Sequence, residues 1–243
     1  MRVVGIIQAR TGSVRLPGKV LRKLAGEPML ARVVSRVQCA KTLDEVIVAT
    51  TTLASDDSIA ELCAHRGIAC FRGSENDLLD RYYRAAVDYR GDAIVRITAD
   101  CPLIDSLIID RVVHEFVDHQ PHVEYASNVF PDRTYPRGLD TEIIRFEPLE
   151  RIWRADQNPL WREHVTSYIH RHPEAFITRC VSNEIDYSHL RWTVDTSQDF
   201  ELVRRIYNEF PDGLFSWQEA LELINCHPTW SEINRDVEQK AVV

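Results

Sequence analysis

Short β-branched apolar runs alternate along the chain with stretches whose apolar residues recur every three or four positions. "RVVGII", "DEVIVATTT", "IACFRG" and "DAIVRIT" are of the first kind and predict strands. Between them, "MLARVVSRVQCA" sets Leu30, Val33, Val34 and Val37 at helical spacing. "NDLLDRYYRAAVDYRG" does the same with Leu78, Leu79, Tyr82, Ala86 and Tyr89. "SDDSIAELCAHRG" reads as a helix with Ser55 as N-cap, acids in its first turn and Gly67 as its stop. "SLIIDRVVHEFVDH" is a further helix. Strand–helix alternation of this kind predicts a mostly parallel sheet covered on both faces.

The regular alternation fades after about residue 120. "VEYASNVFPDRTYPRGLDTEIIRF" predicts extended, antiparallel structure with Pro-rich turns, and "PLWREHVTSYIHRH" a helix starting near Pro159. "HLRWTVDTSQDFELVRRIYNEF" reads as strand, turn and helix, with Thr196 or Ser197 as cap, returning to the first sheet after an insertion. The tail "SWQEALELINCHPTWSEINRDVEQ" is helical, and its last ten residues are expected to be poorly ordered.

Composition narrows the class. The 243 residues are 44% hydrophobic and 27% charged, enough for one domain over residues 1–243 with an insertion at 120–190. A formal net charge of −8 argues against nucleic acid as a partner. Six scattered cysteines without a CxxC pair fit reduced thiols and a cytoplasmic location. No run reaches the eighteen or so apolar residues of a membrane helix, and the N-terminus does not read as a signal peptide.

Against that acidic background, "QARTGSVRLPGK" (residues 8–19) follows the first strand with three cations and no acid. In open α/β sheets, ligands bind beyond the carboxyl ends of the strands. Two further polar stretches fall at such ends: Asp100 with Asp105, and Asp195 with Asp199. The first loop is neither a Walker A motif nor a GxGxxG fingerprint, since five residues separate Gly12 from Gly18 and Val20 follows Lys19. Its backbone amides with Arg10, Arg15 and Lys19 could still surround an oligophosphate; the other reading is a solvated basic loop. Asp100 and Asp195 could hold Mg²⁺ against phosphate, or serve as helix caps. Asp199 belongs to a first helical turn. Cys101, without a histidine beside it in sequence, reads as a buried thiol, and Tyr82–Tyr83 as core plus surface.

These segments resemble a known family. "IIQARTGSVRLPGKVL" is similar to the ARxxSxRLPGKxL signature of the CMP-sugar synthetase-like cytidylyltransferases, "ADCPLID" to their GDxPLI motif, and "RWTVDTSQDFELVR" to their VDTPEDLE segment. "FRGSENDLLDRYYRAA", "YPRGLDTEI" and "REHVT" resemble the spore coat polysaccharide biosynthesis protein F branch. The matches run to about residue 207. The resemblance implies a Rossmann-like nucleotide-diphospho-sugar transferase fold, α/β with a small antiparallel insertion. It also implies CTP as donor, Mg²⁺, an acidic sugar or related small acid as acceptor, a role in surface polysaccharide biosynthesis, and a homodimer using residues 120–190. By position, Arg10 and Lys19 match the family's triphosphate-binding residues, Ala9 lies where its loop meets the cytosine, Arg72 and Asp80 fall in its base-pocket segment, and Asp100 and Asp195 match its metal-binding aspartates. Ser13 and Arg15 are further nucleotide candidates, and Arg10, Lys19 and Asp100 the catalytic candidates. Candidate contacts to the acceptor are Arg137, Arg162, His164 and Arg191, and Asp140 and Glu142 could bind sugar hydroxyls or a second metal; salt bridges inside the insertion or the dimer interface are the other reading of these residues. Ala99 stands where the family usually has Gly, Ser197 where it has Pro, and Arg137 where the branch often has an acid. A nucleotide-sugar glycosyltransferase of the same fold is the competing enzyme class, but its DxD triplet does not occur in the chain. A non-enzymatic nucleotide-binding module is the other alternative.

Overall fold

The computed structural model of the protein describes residues 1–239; the final four residues of the tail lie outside it. The first half follows the alternation: β1 (Val3–Gln8), a hairpin of β2 (Lys23–Leu24) and β3 (Glu27–Pro28), α1 (Met29–Gln38), β4 (Glu45–Thr51), α2 (Asp57–Arg66), β5 (Ala69–Gly73), α3 (Leu78–Asp88), β6 (Ala93–Thr98) and α4 (Ser106–Asp118). The second half adds β7 (Tyr125–Ser127), β8 (Glu142–Arg145), α5 (Phe146–Ala155), α6 (Pro159–Arg162), α7 (Ser167–Arg171), β9 (Thr178–Cys180), α8 (Ser197–Glu209) and α9 (Trp217–Cys226).

Seven strands form one sheet in the order β5-β4-β1-β6-β8-β7-β9. Only β8 runs against the others, pairing antiparallel with β6 and β7. β1 shows why the sheet is buried on both faces. Val3 and Ile7 enter the hydrophobic cluster on one side, and Val4 and Ile6 the cluster on the other. Helices α1, α4, α8 and α9 cover the first face through residues such as Val33, Ile109, Leu202 and Ile224. Helices α3, α5 and α7 cover the second through Leu79, Ile152 and Ile169.

Several local expectations are corrected. Residues 159–171 form two short helices broken at residues 163–166, not one. The expected strand near residue 191 is reduced to one isolated parallel bridge between Arg137 and Arg191, outside the seven-stranded sheet. The antiparallel pairing expected after residue 120 is present, with β8 set between β6 and β7 as part of the central sheet. Ser55 does not cap α2; a short 3-10 turn over Ala54–Asp56 precedes the helix, and Gly67 closes it in the left-handed region as expected. In the tail, Asn234 is buried and bonded to Arg191 O and Asp199, and the end of the segment expected to be poorly ordered lies outside the described residues.

The topology fixes where a ligand can enter. From β1 the chain steps outward to β4 and β5, then crosses back to place β6 on the other side of β1. β1 and β6 therefore flank the switch point, where successive connections diverge and leave a crevice beyond the carboxyl ends. The cationic loop leaves β1 there, and Asp100 follows β6.

Candidate active site

Three segments converge on the crevice. Ala9 is buried at the end of β1, its amide donating to Ala49 O at 3.1 Å. The loop then folds back on itself, with Ser13 N and Gly18 N both donating to Thr11 O, at 2.8 and 3.1 Å. Gly18 has φ of +66°, a left-handed conformation that delivers Lys19 inward at the start of a short 3-10 turn. Opposite, Val194 N donates to Asp100 O at 2.8 Å and Thr193 Oγ1 to the same oxygen at 3.2 Å. Those two bonds bring Asp195 alongside Asp100 without a strand.

Gly138 makes this approach possible. Its φ is +114°, and a Cβ there would lie 2.6 Å from Thr193 N and 2.7 Å from Trp192 C. Only glycine lets the "YPRGLD" turn back onto residues 192–193 this closely.

At the meeting point Lys19 Nζ donates to Asp100 Oδ2 at 2.9 Å, Asp195 Oδ1 at 2.9 Å and Val194 O at 2.7 Å. All three ammonium protons are used. Burial alone would lower the Lys19 pKa, but the charges of Asp100 and Asp195 outweigh it and leave it raised. The Asp100 carboxyl is pushed up by burial and pulled further down by the Lys19 charge together with hydrogen bonds from Thr98 and Lys19, with a net lowering. Asp195 also receives Arg15 at 2.9 Å and Arg191 at 2.8 Å on Oδ2. Arg191 continues to Asp199 at 2.8 Å. Asp199 is fully buried and closes a capping box on α8 with Thr196. Asp105 is spent on capping, accepting from Leu107 N and Trp217 N, both at 2.8 Å. Cys101 is buried; that burial, and then the Asp100 charge, push its thiol well above its ordinary value, so it is a neutral packing group.

The remaining sequence-derived candidates lie in different settings. Arg10 is exposed just past Ala9. Ser13 Oγ accepts from Leu16 N at 3.4 Å, a bond within the loop. Arg72 spans from β5 to Thr51 O, Leu53 O and Asp57 at 2.8, 3.0 and 2.7 Å. Asp80 accepts from Trp153 Nε1 of α5 at 2.9 Å and from Arg84 Nε of its own helix at 2.7 Å. Arg162 lies in the same seam, paired with Asp77 at 2.8 Å and donating to Trp153 O and Asp156 O. His164 sits in the break between α6 and α7. Asp140 is held by both guanidinium nitrogens of Arg133, at 2.5 and 2.8 Å, and Glu142 by Arg96 at 3.1 Å.

One important group escaped sequence reading. Asp56 accepts from Thr11 N at 2.7 Å and Thr11 Oγ1 at 2.6 Å, and from the Thr51 hydroxyl. Burial raises its pKa, but those hydrogen bonds outweigh it and leave the carboxylate ionised and lowered. It anchors the cationic loop to the end of β4. In sequence it looks like any acid at a helix start.

A switch-point crevice with a cationic loop on one wall and two carboxylates on the other defines an α/β nucleotide-binding enzyme. Residues 4–241 match the Cytidylyltransferase family, and the chain belongs to it. It is 32% identical over 236 residues to the spore coat polysaccharide biosynthesis protein SpsF of Bacillus subtilis, covering 93% of this chain and 95% of that one. A solved cytidylyltransferase from Leptospira borgpetersenii superposes with a TM-score of 0.92 at 37% identity, covering 99% of this chain and 100% of that one. CMP:2-keto-3-deoxy-manno-octonic acid synthetase, solved in complex with CTP, shares the fold with a TM-score of 0.66 at 20% identity, over 86% of this chain and 99% of that one. Family membership selects the CTP-dependent transferase over the glycosyltransferase alternative. Among the described residues no helix is long and apolar enough to cross a membrane.

Proposed function

We propose that this enzyme transfers CMP from CTP to an acidic sugar or related small acid, releasing pyrophosphate, in surface polysaccharide biosynthesis. The observation that carries the reading is the Lys19 bridge between Asp100 and Asp195 at the switch point. The acceptor oxygen attacks the α-phosphorus; the bond from that phosphorus to the β-bridging oxygen breaks, and its electron pair leaves with pyrophosphate. Reactions of this class depend on positioning and charge neutralisation. Arg10 and Arg15, with Lys19 once its ammonium exchanges its carboxylate bonds for the nucleotide, hold the β and γ phosphates and offset the charge that accumulates on the leaving group. Ala9, Ser13, Arg72 and Asp80 complete the nucleotide site, the last two from the strand β5 and helix α3 that border it.

Asp100 Oδ2 and Asp195 Oδ1 both lie 2.9 Å from one ammonium nitrogen, so these oxygens already frame a cation position. Among the described residues no cluster of three or more His, Cys, Asp or Glu suits a metal. A pair of carboxylates nonetheless fits Mg²⁺, which takes one or two from protein and fills its shell with water and phosphate. Asp100 and Asp195 would hold it. When bound, Mg²⁺ supplies Lewis-acid polarisation of the α-phosphate.

Acidity of the acceptor is supported by Arg137. Its guanidinium makes no hydrogen bond or ion pair among the described residues, and it is half-buried beside Arg133 and Arg191. Burial first, and then the like charge of Arg133, lowers its pKa against the opposing pull of Asp140. An incoming carboxylate would relieve that repulsion. Asp140, Glu142, Arg162 and His164 are proposed to shape the rest of the acceptor side. A cytoplasmic homodimer using residues 120–190 belongs to the same reading, supported by exposed Leu160, Ile177 and Ile185 in that segment. The test is a screen of carboxylated sugars and small acids with CTP and Mg²⁺, read by pyrophosphate release. Turnover with an acidic acceptor is expected. Turnover only with neutral acceptors would overturn the acceptor class, and no CTP-dependent release with any acceptor would overturn the reaction.

A further inference from the structure

Helix α3 carries an anomaly on its buried face. Leu78, Leu79, Tyr82, Ala85 and Ala86 point into the core, and Arg81, three residues after Leu78 and four before Ala85, shares their side of the helix. Arg81 is 3% exposed. Its Nε and Nη1 are buried with no hydrogen-bond partner. A buried charged donor left unbonded is costly, and native proteins seldom keep one without a use.

The fold makes room for this side chain. Gly73 ends β5, and a Cβ on it would meet Arg81 Cγ at 3.1 Å and Arg81 Cβ at 3.3 Å. A larger residue there would crowd the arginine stem. The charged and titratable groups around Arg81 are Tyr82 on its own helix, Arg10 after β1, Asp56 before α2, and Glu75 after β5. Asp56 is occupied with Thr11 and Thr51 and forms no hydrogen bond with Arg81. Gly73 O accepts from Thr52 N at 3.0 Å, and the neighbouring Thr51 holds Asp56, which in turn holds Thr11 of the cationic loop. The Arg81 stem packed on Gly73 therefore sits at the carboxyl-end rim next to that loop, with unused donors.

We propose that Arg81 is a nucleotide-binding residue that donates to an oxygen acceptor of the bound nucleotide from the α3 side of the crevice. Lys19 reaches the same crevice from the opposite wall. The chemistry required is an electron-rich oxygen, whether a base carbonyl, a ribose hydroxyl or a phosphate oxygen. This rests on the proposed CTP-dependent function.

The experiment is calorimetric titration of CTP, cytidine and inorganic tripolyphosphate into the wild type, Arg81→Met and Arg81→Lys, with the melting temperature of each ligand-free protein. Arg81→Met should bind CTP at least tenfold more weakly while melting no lower than wild type, because it removes an unpaired buried charge. Loss confined to cytidine assigns the contact to the nucleoside, and loss confined to tripolyphosphate assigns it to the phosphates. A folded Arg81→Met protein that binds CTP within twofold of wild type overturns the proposal. If the variants do not fold, the Arg81 ¹⁵Nε–H resonance of the wild type decides: it should shift on saturation with CTP, and an unmoved signal overturns the proposal. Failure of the wild type itself to bind CTP would instead overturn the underlying function.

Discussion

Replacing Lys19 by Met tests whether this lysine is an internal counter-ion. The change keeps a long apolar stem and deletes the ammonium. The Lys19 side chain is 10% exposed, and those of Asp100 and Asp195 are 28% and 17% exposed. Removing one partner of a buried ion pair typically costs about 3–5 kcal/mol. Here water reaches the carboxylates, and Asp195 keeps Arg15 and Arg191, so about 2–3 kcal/mol is the appropriate range. For a chain of this size that corresponds to a fall of roughly 4–12 °C in melting temperature. Asp100 is the group left without a cation, so adding Asp100→Asn should restore about half of the loss. The two aspartates of Lys19→Met no longer share their oxygens with an ammonium, so Mg²⁺ should stabilise the variant more than wild type. At ten times its dissociation constant the gain is about 1.4 kcal/mol. Turnover should fall at least about a hundredfold, as for loss of a transition-state donor. Differential scanning calorimetry with and without Mg²⁺, on the single and double variants, measures all but the last; pyrophosphate release measures that. A Lys19→Met protein melting within about 1 °C of wild type, or Mg²⁺ shifts equal in the two, would refute the counter-ion argument.

Two further outcomes are expected. Gly138→Ala drives a methyl group into the 192–193 backbone at a left-handed position; it should cost about 3 kcal/mol by thermal melting and depress turnover by displacing Asp195. His170 is packed against Phe130 and bonded to Tyr125 at 3.1 Å; burial, followed by the opposing pull of Glu142 and the Arg96 charge, leaves its pKa below the ordinary 6.5. The unfolded chain thus binds the proton more readily, and the native state loses stability as pH falls below about 6.5. His170→Gln should show a smaller drop in melting temperature between pH 7 and pH 5, and an equal drop would remove His170 as the cause.

The parallel half of the fold was legible because each strand and helix there carries its own period. β1, α1 and α3 could be drawn from Val3–Ile7, Leu30–Val37 and Leu78–Ala86 alone. The second half was harder for a physical reason. β7 and β9 are three residues each and β8 four, too short for alternation to declare itself, and their place in the sheet depends on long-range pairing. The segment before Asp195 reads as a strand, "LRWTV", yet it is held by hydrogen bonds to Asp100 and by the close approach of Gly138. In the site, the loop cations and strand-end aspartates stood out because their charge breaks an apolar context. Asp56 and Arg133 did not, since an acid at a helix start or an arginine in a turn carries no local mark of its partner. Arg162 and Asp80 stood out by motif, but their bonds to Asp77, Trp153 and Asp156 bridge α3 and α5 and could not be read from sequence.

Lys19 and Asp195 are 176 positions apart along the chain yet share a hydrogen bond. During synthesis the cationic loop and Asp100 therefore leave the ribosome long before Asp195 exists. The two walls of the crevice meet through contacts of very high sequence separation, the kind whose closure entropy makes them slow to form.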